Sequence, residues 1–193
     1  MSRIRRWLPR ALFESGLIVL SILLALAVNE WRDDRTRAAS IAEARRLFAN
    51  ELAGNRALLL SDAILPHHKR LQAEYAKLVE ANSTSQGPVF ETGVHPALLR
   101  DAAWHSFAIG GTLANFAPAE VVLLSDIYRG QDNLEKLNTN FITVMWEPRG
   151  DRETPSYMRD ANRSTWMYLN DVVPMEERLV QMYDRALEQL GTK

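Results

Sequence analysis

An uncharged, almost wholly aliphatic run near the N-terminus constrains this chain more than any other feature of its sequence. It reads GLIVLSILLALAV from Gly16 to Val28, with four arginines before it and the charged stretch NEWRDDRTR directly after it. A clean bilayer crossing takes about 20 apolar residues, whereas a run of roughly 7–15 behind a basic segment is typical of a signal peptide. The small residues Ala25 and Ala27 also form a cleavage pattern. The run therefore predicts either a retained membrane anchor or a signal peptide that is removed after Ala27.

The flanks of the run favour a retained anchor, a transmembrane helix at residues 15–29. Trp7 and Trp31 bracket it. About 24 residues of helix at ~1.5 Å each separate the two indoles by ~36 Å, close to the distance between the aromatic belts of a membrane. Arg10 and Glu14 are spaced to pair at the inner rim, where the long side chain of Arg10 can reach the interface. We therefore predict that Trp7, Arg10 and Trp31 are interfacial anchors.

The charges on either side of the anchor predict its orientation. Four arginines precede the span, whereas the three that follow it are interleaved with acidic residues. Lys and Arg next to a span favour the cytoplasmic side. We expect residues 1–14 to form a short cytoplasmic segment and residues 30–193 to form a periplasmic domain, with the anchor in a bacterial inner membrane.

The anchor and its outer flank also resemble a known group of sequences. From Glu14 to Arg35 the chain reads ESGLIVLSILLALAVNEWRDDR. This is similar to the opening of a group of uncharacterised bacterial single-pass membrane proteins, whose N-termini run E-x-x-L/I-V-x-x-G/S-I-L-L/I-A-L-x-V/I-N/D-x-W-x-D/E-D/E-R. Farther on, the Ala103-Trp104 pair resembles the same group more loosely. The resemblance implies a retained anchor followed by an extracytoplasmic helical region, and it implies no activity.

Composition removes several classes of function. The chain has 193 residues, 47% of them apolar, which is enough for one packed domain behind the anchor. A formal net charge of −1 argues against nucleic-acid binding, which usually shows as a basic excess. The absence of cysteine excludes disulfides, thiolate nucleophiles and Cys-type zinc sites. Because the sequence has no catalytic motif, we expect neither an enzyme nor a bound cofactor.

The region after the anchor has helical periodicity almost throughout, and runs of alternating β-branched residues are absent. We therefore predict an all-α fold, in which the anchor helix continues into a periplasmic helical bundle. The first helix should reach about Ile64, and Pro66 should break or restart it. Pro174 should kink or break the last helix. We place the later helices at 67–81, 96–109, 118–145 and 157–190.

The segment from Ala102 to Ala119 contains no Asp, Glu, Lys or Arg, so a second membrane crossing has to be considered. His105, Asn115 and Pro118, together with two adjacent glycines, make insertion into a bilayer unfavourable. A buried helix-turn-helix is the better interpretation.

The same segment supplies one candidate ligand site. The simpler interpretation places Trp104 in the core with His105 at a polar edge. The functional alternative is a small apolar pocket, and a ligand-binding domain would use this place first. Its predicted wall consists of Trp104, His105, Phe107, Asn115 and Phe116.

Two other sets of residues have a functional and a structural interpretation. The neighbours His67 and His68 point about 100° apart on a helix and are poor joint metal ligands, so we expect a solvated helix start instead of a metal site. Ser21, Ala25 and Asn29 form a small and polar stripe that allows close helix approach in a membrane. The alternative is that an anchor simply contains some small residues.

These observations predict a membrane-anchored periplasmic protein of structural or interaction type. It would be an accessory subunit or scaffold that contacts the lipid bilayer and either a protein partner or further copies of itself. The alternative is a ligand-binding, sensory periplasmic domain that signals through a partner.

Overall fold

The structure is a computed structural model that describes residues 4–146 and 154–191, with side chains described for 13–145 and 154–191. These residues form six α-helices and one short 3-10 helix, and the described ranges contain no β-strand. The prediction of an all-α fold is confirmed. The α-helices are α1 (Ile4–Leu60), α2 (Leu65–Glu80), α3 (Val89–Thr92), α4 (Ala102–Ile109), α5 (Pro118–Trp146) and α6 (Pro155–Gly191), with the 3-10 helix at Thr112–Asn115.

The first of two compact units, Met1–Glu43, contains the apolar part of α1. Every side chain described from residue 13 to residue 40 is exposed. Side chains such as Ile18 and Leu24, at 62% and 65% exposure, have no protein core to pack into. Within the described chain, one helix near the N-terminus is long and apolar enough to cross a membrane, and it is this one.

The second unit, Ala44–Lys193, has a hydrophobic core of its own. Helix α6 packs against both α2 and α5, and the part of α1 after residue 44 adds a further set of buried side chains. Apolar residues recur on one side of each helix at a spacing of three or four, which is why the four elements share one core. The largest fully buried apolar side chains are Phe48, Leu52, Leu59, Tyr75, Leu124, Ile127, Leu134, Leu169, Val172 and Tyr183.

Prolines mark some of the boundaries as the sequence predicts. Helix α1 ends at Leu60, and Pro66 lies in the first turn of α2. Pro118 is the first residue of α5, as predicted. Of the two effects predicted for Pro174, a kink or a break, the break is wrong, since α6 continues through this residue. The missing N–H of Pro174 leaves the backbone carbonyl of Asn170 without its helical donor, and Asn170 is half-buried.

The helix predicted from residue 96 begins later, at Ala102. Residues 94–101 contain no regular secondary structure. The side chain of Asn55 bonds Arg100 twice, accepting from its backbone N–H at 2.8 Å and donating to its carbonyl at 2.7 Å. Because both backbone groups of Arg100 bind a side chain of α1, they are not used in a helix. The prediction failed because this pairing comes from tertiary structure.

The uncharged segment from residue 102 to residue 119 is mostly at the surface, and the prediction of a buried helix-turn-helix is wrong in that respect. Two of its residues, Ala103 and Phe116, are buried, whereas others such as Ala119 are exposed. Ile109, next to the two glycines, is 86% exposed. The lack of charge in this segment therefore does not indicate burial.

Candidate functional site

A concave site of the second unit is a cavity of about 410 Å³ between α5, the start of α4 and the segment before it. The irregular segment contributes apolar side chains, including Leu98. Helix α4 contributes Trp104 and His105, and one face of α5 contributes Tyr128 and Gln131. The cavity is thus half apolar and half polar, as small-molecule sites in proteins commonly are.

One side chain of α1 fixes the wall of this cavity. Glu51 Oε1 accepts a hydrogen bond from the hydroxyl of Tyr128, with 2.7 Å between the two oxygens. Its Oε2 accepts a hydrogen bond from the backbone N–H of Ala103, with 3.0 Å between nitrogen and oxygen. The carboxylate therefore lies at the N-terminus of α4, where negative charge is favourable. Burial raises the pKa of the Tyr128 hydroxyl, and the hydrogen bond to Glu51 raises it further. Tyr128 remains a hydrogen-bond donor at neutral pH, and α4 is held against α5.

The predicted pocket is only partly assembled. Trp104 stacks on Tyr128, with ring centroids 5.1 Å apart, and lines the cavity together with His105. Phe107 and Phe116 instead pack on Phe48, at 5.4 and 6.0 Å between ring centroids. Asn115 is exposed. The structure brings Trp104 and His105 together at the cavity and places the other three predicted residues outside its wall.

Charged side chains make the polar half of the cavity acidic. Its wall carries three carboxylates and one guanidinium: Asp101, Asp132, Glu135 and Arg129. Asp101 lies 3.2 Å from His105 Nδ1, and Asp132 accepts from Lys136 Nζ at 2.6 Å. Glu135 has no ion-pair partner within the described residues. Negative charge is therefore in excess at the wall.

Gln131 is a buried polar residue of this wall, and no local sequence pattern indicates its burial. Its side chain is 6% exposed, and its Nε2 donates to the hydroxyl oxygen of Tyr183 at 2.9 Å. Its Oε1 is buried and has no hydrogen-bond partner. An unpaired buried carbonyl is unfavourable, so native structures usually supply a partner for such a group.

The two neighbouring histidines of α2 form a separate buried cluster. His67 is 8% exposed and His68 is fully buried, so the prediction of a solvated helix start is wrong. His68 Nδ1 lies 3.0 Å from both carboxyl oxygens of Glu176, which is fully buried on α6. His68 Nε2 hydrogen-bonds the carbonyl of Val94, and His67 Nε2 lies 3.0 Å from the carbonyl of Gly93. The pair ties the segment that follows α3 to both α2 and α6.

The partners of His68 fix where one of its protons lies. The carbonyl of Val94 can only accept a hydrogen bond, so Nε2 carries a proton. One further proton lies between Nδ1 and the carboxyl group of Glu176. The pair is neutral as a whole whether that proton is on the imidazole or on the carboxyl group. Such a pair can be buried without an uncompensated charge, which explains why it tolerates complete exclusion from solvent.

The predicted contact stripe lies along one face of α1. Shallow depressions on that face are lined by Leu17, Ser21 and Ala25, and further along by Ala25 and Asn29. The hydroxyl of Ser21 donates to the carbonyl of Leu17 at 2.8 Å, so it is satisfied within the helix. Asn29 Nδ2 donates to Asp33 at 3.3 Å. The stripe is therefore a shallow groove in which Ser21, Ala25 and Asn29 lie among larger apolar side chains such as Ile22 and Leu24, and the hydroxyl of Ser21 does not require a partner.

The predicted interfacial anchors are described only in part. Trp31 is 60% exposed, and the guanidinium carbon of Arg35 lies 5.1 Å from its ring centroid. This is a cation–π contact on the C-terminal flank of the apolar run. The side chains of Trp7 and Arg10 lie outside the described residues.

Comparison of the chain with protein-family models, with curated proteins and with solved structures finds no match. Within the described residues, no group of three or more His, Asp or Glu side chains could hold a metal ion. The cavity and the groove on α1 therefore have to be interpreted from their own chemistry.

Proposed function

We propose that this chain is a membrane-anchored helical protein that acts through contacts, as an accessory subunit or scaffold in a membrane assembly. The apolar part of α1 stays in the inner membrane of a bacterium, with the N-terminus in the cytoplasm and the second unit in the periplasm. The unit acts with a protein partner or with further copies of the chain. The resemblance of residues 14–35 to single-pass membrane proteins points in the same direction.

The observation that carries this proposal is the exposed apolar face of α1. Residues 13–40 are exposed on all sides. Apolar side chains exposed in this number need lipid or another helix around them. In a membrane, small residues on a helix face let a second helix approach closely, and Ser21 and Ala25 supply them among the larger side chains of the groove on α1.

Two substitutions of one kind test the groove. Ala25→Leu fills it, whereas Ala27→Leu adds the same side chain about 200° away around the helix. Purified in mild detergent, the unaltered chain should give a defined oligomer, or a partner at fixed stoichiometry, by light scattering coupled to size exclusion. Ala25→Leu should shift this species to a lone monomer, and Ala27→Leu should leave it unchanged. A monomer from the unaltered chain without a partner would contradict the proposal.

A second function, ligand binding by the periplasmic unit, is favoured by the cavity beside Trp104. Polar and apolar side chains together line a space of about 410 Å³ there, among them Trp104, His105 and Gln131. The unit would then act as a sensor that signals through a partner. NMR of the chain carrying 5-fluorotryptophan, with the Trp104 signal assigned from Trp104→Phe, would detect a ligand. A Trp104 signal that no small molecule shifts would remove this second function.

A further inference from the structure

Helix α1 continues beyond its apolar run through a charged stretch that packs on nothing in the described part of the chain. The stretch covers residues 29–40, and every one of its side chains is exposed. A helical stretch of this length gains little stability on its own in water. One of its faces is therefore open to a second helix.

A second copy of the chain is the partner whose arrangement an anchor in the membrane would fix. All copies of one anchor insert in the same direction, because the charges that flank the apolar run are the same in each. The apolar run also sets the depth of each helix in the bilayer. Two copies therefore present their α1 helices parallel and in register, with each residue at the height of its own counterpart.

The charges of residues 29–40 are self-complementary in this arrangement. Asn29 and Arg32 line one depression of α1 and so share a face. In the heptad a to g of paired helices, where a and d face the partner, these two residues take positions a and d, and Asp33 takes e. A side chain at d lies beside position e of the second helix, so Arg32 of each copy faces Asp33 of the other. Because the contact is two-fold symmetric, the ion pair forms twice.

The polar side chains of this face have the capacity for such contacts. Among the described residues Arg32 has no ion-pair partner, and its long side chain can turn from its counterpart towards a carboxylate. Asp33 accepts one hydrogen bond, from Asn29 Nδ2 at 3.3 Å, and keeps lone pairs for a guanidinium. Asn29 keeps a second N–H on Nδ2, and an asparagine at position a can bond its counterpart and fix the register.

The neighbouring charges belong to the outward side of the same heptad. Asp34 and Arg37 take positions f and b and lie 3.4 Å apart, so they pair within one helix. Trp31 takes position c, also away from the second copy, and carries the guanidinium of Arg35 on its ring. The outward face thus uses its charges within one chain, whereas Arg32 on the inward face does not.

We propose that residues 29–40 of α1 bind the same residues of a second copy of this chain as a parallel two-stranded coiled coil, held by reciprocal ion pairs between Arg32 and Asp33. This rests on the proposed function, in which α1 is a membrane anchor and the chain acts through contacts, and it names a second copy as the partner.

Single cysteines test the contact, since the sequence has none of its own. A disulfide needs about 4.4–6.8 Å between two Cα atoms, a separation that contact positions of paired helices reach and outward positions do not. Ala39→Cys lies at position d and its neighbour Ala38→Cys at position c, so the two form a matched pair. In oxidised membranes containing the full chain, Ala39→Cys should give a cross-linked dimer and Ala38→Cys a monomer. No dimer from Ala39→Cys, or equal dimer from both variants, would overturn the proposal.

Charge exchange tests the ion pairs in the Ala39→Cys chain. Arg32→Asp and Asp33→Arg each bring like charges together and should lower the cross-linked fraction about five-fold or more. The double exchange of both residues should restore it. Asp34→Arg is the matched control, because it makes the same change of charge one residue further on, at outward position f, and it should leave the cross-linked fraction unchanged. Equal loss from Asp33→Arg and Asp34→Arg, or no recovery in the double variant, would overturn the ion pairs.

Light scattering of the unaltered chain in mild detergent separates this proposal from the function it rests on. A different protein at fixed stoichiometry, without a dimer from Ala39→Cys, would overturn the coiled coil and leave the interaction function in place. A defined oligomer without that cross-link would have the same meaning, because the copies would then meet elsewhere. A lone monomer without the cross-link would overturn both.

Discussion

The buried pair of His68 and Glu176 gives a prediction whose size can be worked from its geometry. Both side chains are fully buried, and Nδ1 of the imidazole lies 3.0 Å from each carboxyl oxygen. Glu176→Leu leaves Nδ1 without a partner. His68→Leu leaves two groups without a partner, namely the carboxyl group of Glu176 and the carbonyl of Val94. His68→Leu should therefore be the more destabilising of the two.

The loss of free energy of unfolding follows from known values for such groups. An unsatisfied buried polar group costs about 1–3 kcal/mol, and removing one partner of a buried ion pair costs about 3–5 kcal/mol. We expect a loss of about 3 kcal/mol for Glu176→Leu and about 4 kcal/mol for His68→Leu. Glu176→Gln should lose only about 1 kcal/mol, because its amide can still donate to Nδ1. The double Leu variant should lose much less than the sum of the single variants.

Denaturant unfolding of the full chain in detergent, followed by circular dichroism, measures these differences. A double-mutant cycle over His68 and Glu176 gives their interaction energy directly. The reasoning is refuted if both single Leu variants stay within about 1 kcal/mol of the unaltered chain, or if Glu176→Gln is as destabilising as Glu176→Leu. An additive cycle would show that the two side chains do not interact.

Other predictions concern backbone space, surface charge and pH. Gly87→Ala should destabilise the chain by about 1–3 kcal/mol, because a Cβ there would lie 2.5 Å from Cε1 of the buried Tyr75 ring; its control, Gly54→Ala, meets no atom within 4 Å and should stabilise α1 by up to about 1 kcal/mol in thermal unfolding. Arg56→Ala should cost less than about 1 kcal/mol, since its pair with Asp184 is largely exposed. Burial raises the pKa of four tyrosines in the folded chain, so the unfolded chain loses phenolic protons first and stability should fall as pH rises above about 10. In the variant Tyr157→Phe, which removes the one other tyrosine of the sequence, a phenolate absorbance that rises before unfolding would contradict this. The four are Tyr75, Tyr128, Tyr168 and Tyr183.

Much of the fold could be predicted from local features of the sequence. Proline has no N–H and favours the first turn of a helix, so Pro66 and Pro118 marked the starts of α2 and α5. The sequence did not decide between a kink and a break at Pro174, because the effect of a proline inside a helix depends on whether the carbonyl it leaves unpaired can reach solvent. The late start of α4 depends on Asn55, which bonds Arg100 across 45 residues of sequence, and no local pattern contains that contact.

The candidate site was predictable only in part, for the same reason. Trp104 and His105 are adjacent on an uncharged helix and could be singled out. Gln131 could not, since a glutamine on a helix is usually solvated, and its burial follows from the packing of α5 against Tyr183 on α6. His68 and Glu176 are 108 residues apart. The two adjacent histidines at the start of α2 are visible in the sequence, but the partner of His68 on α6 follows only from the packing of the two helices.

The proposal that the chain is anchored in a membrane is tested most directly by fractionation combined with intact mass. The full chain is produced in a bacterium, its membranes are extracted with alkaline carbonate, and the mass of the chain in each fraction is measured. The account predicts that the chain stays with the membranes and retains its first 27 residues, at a mass near the 21.9 kDa of the whole sequence. A soluble chain whose mass shows cleavage after Ala27 would contradict the account and make the protein a soluble one.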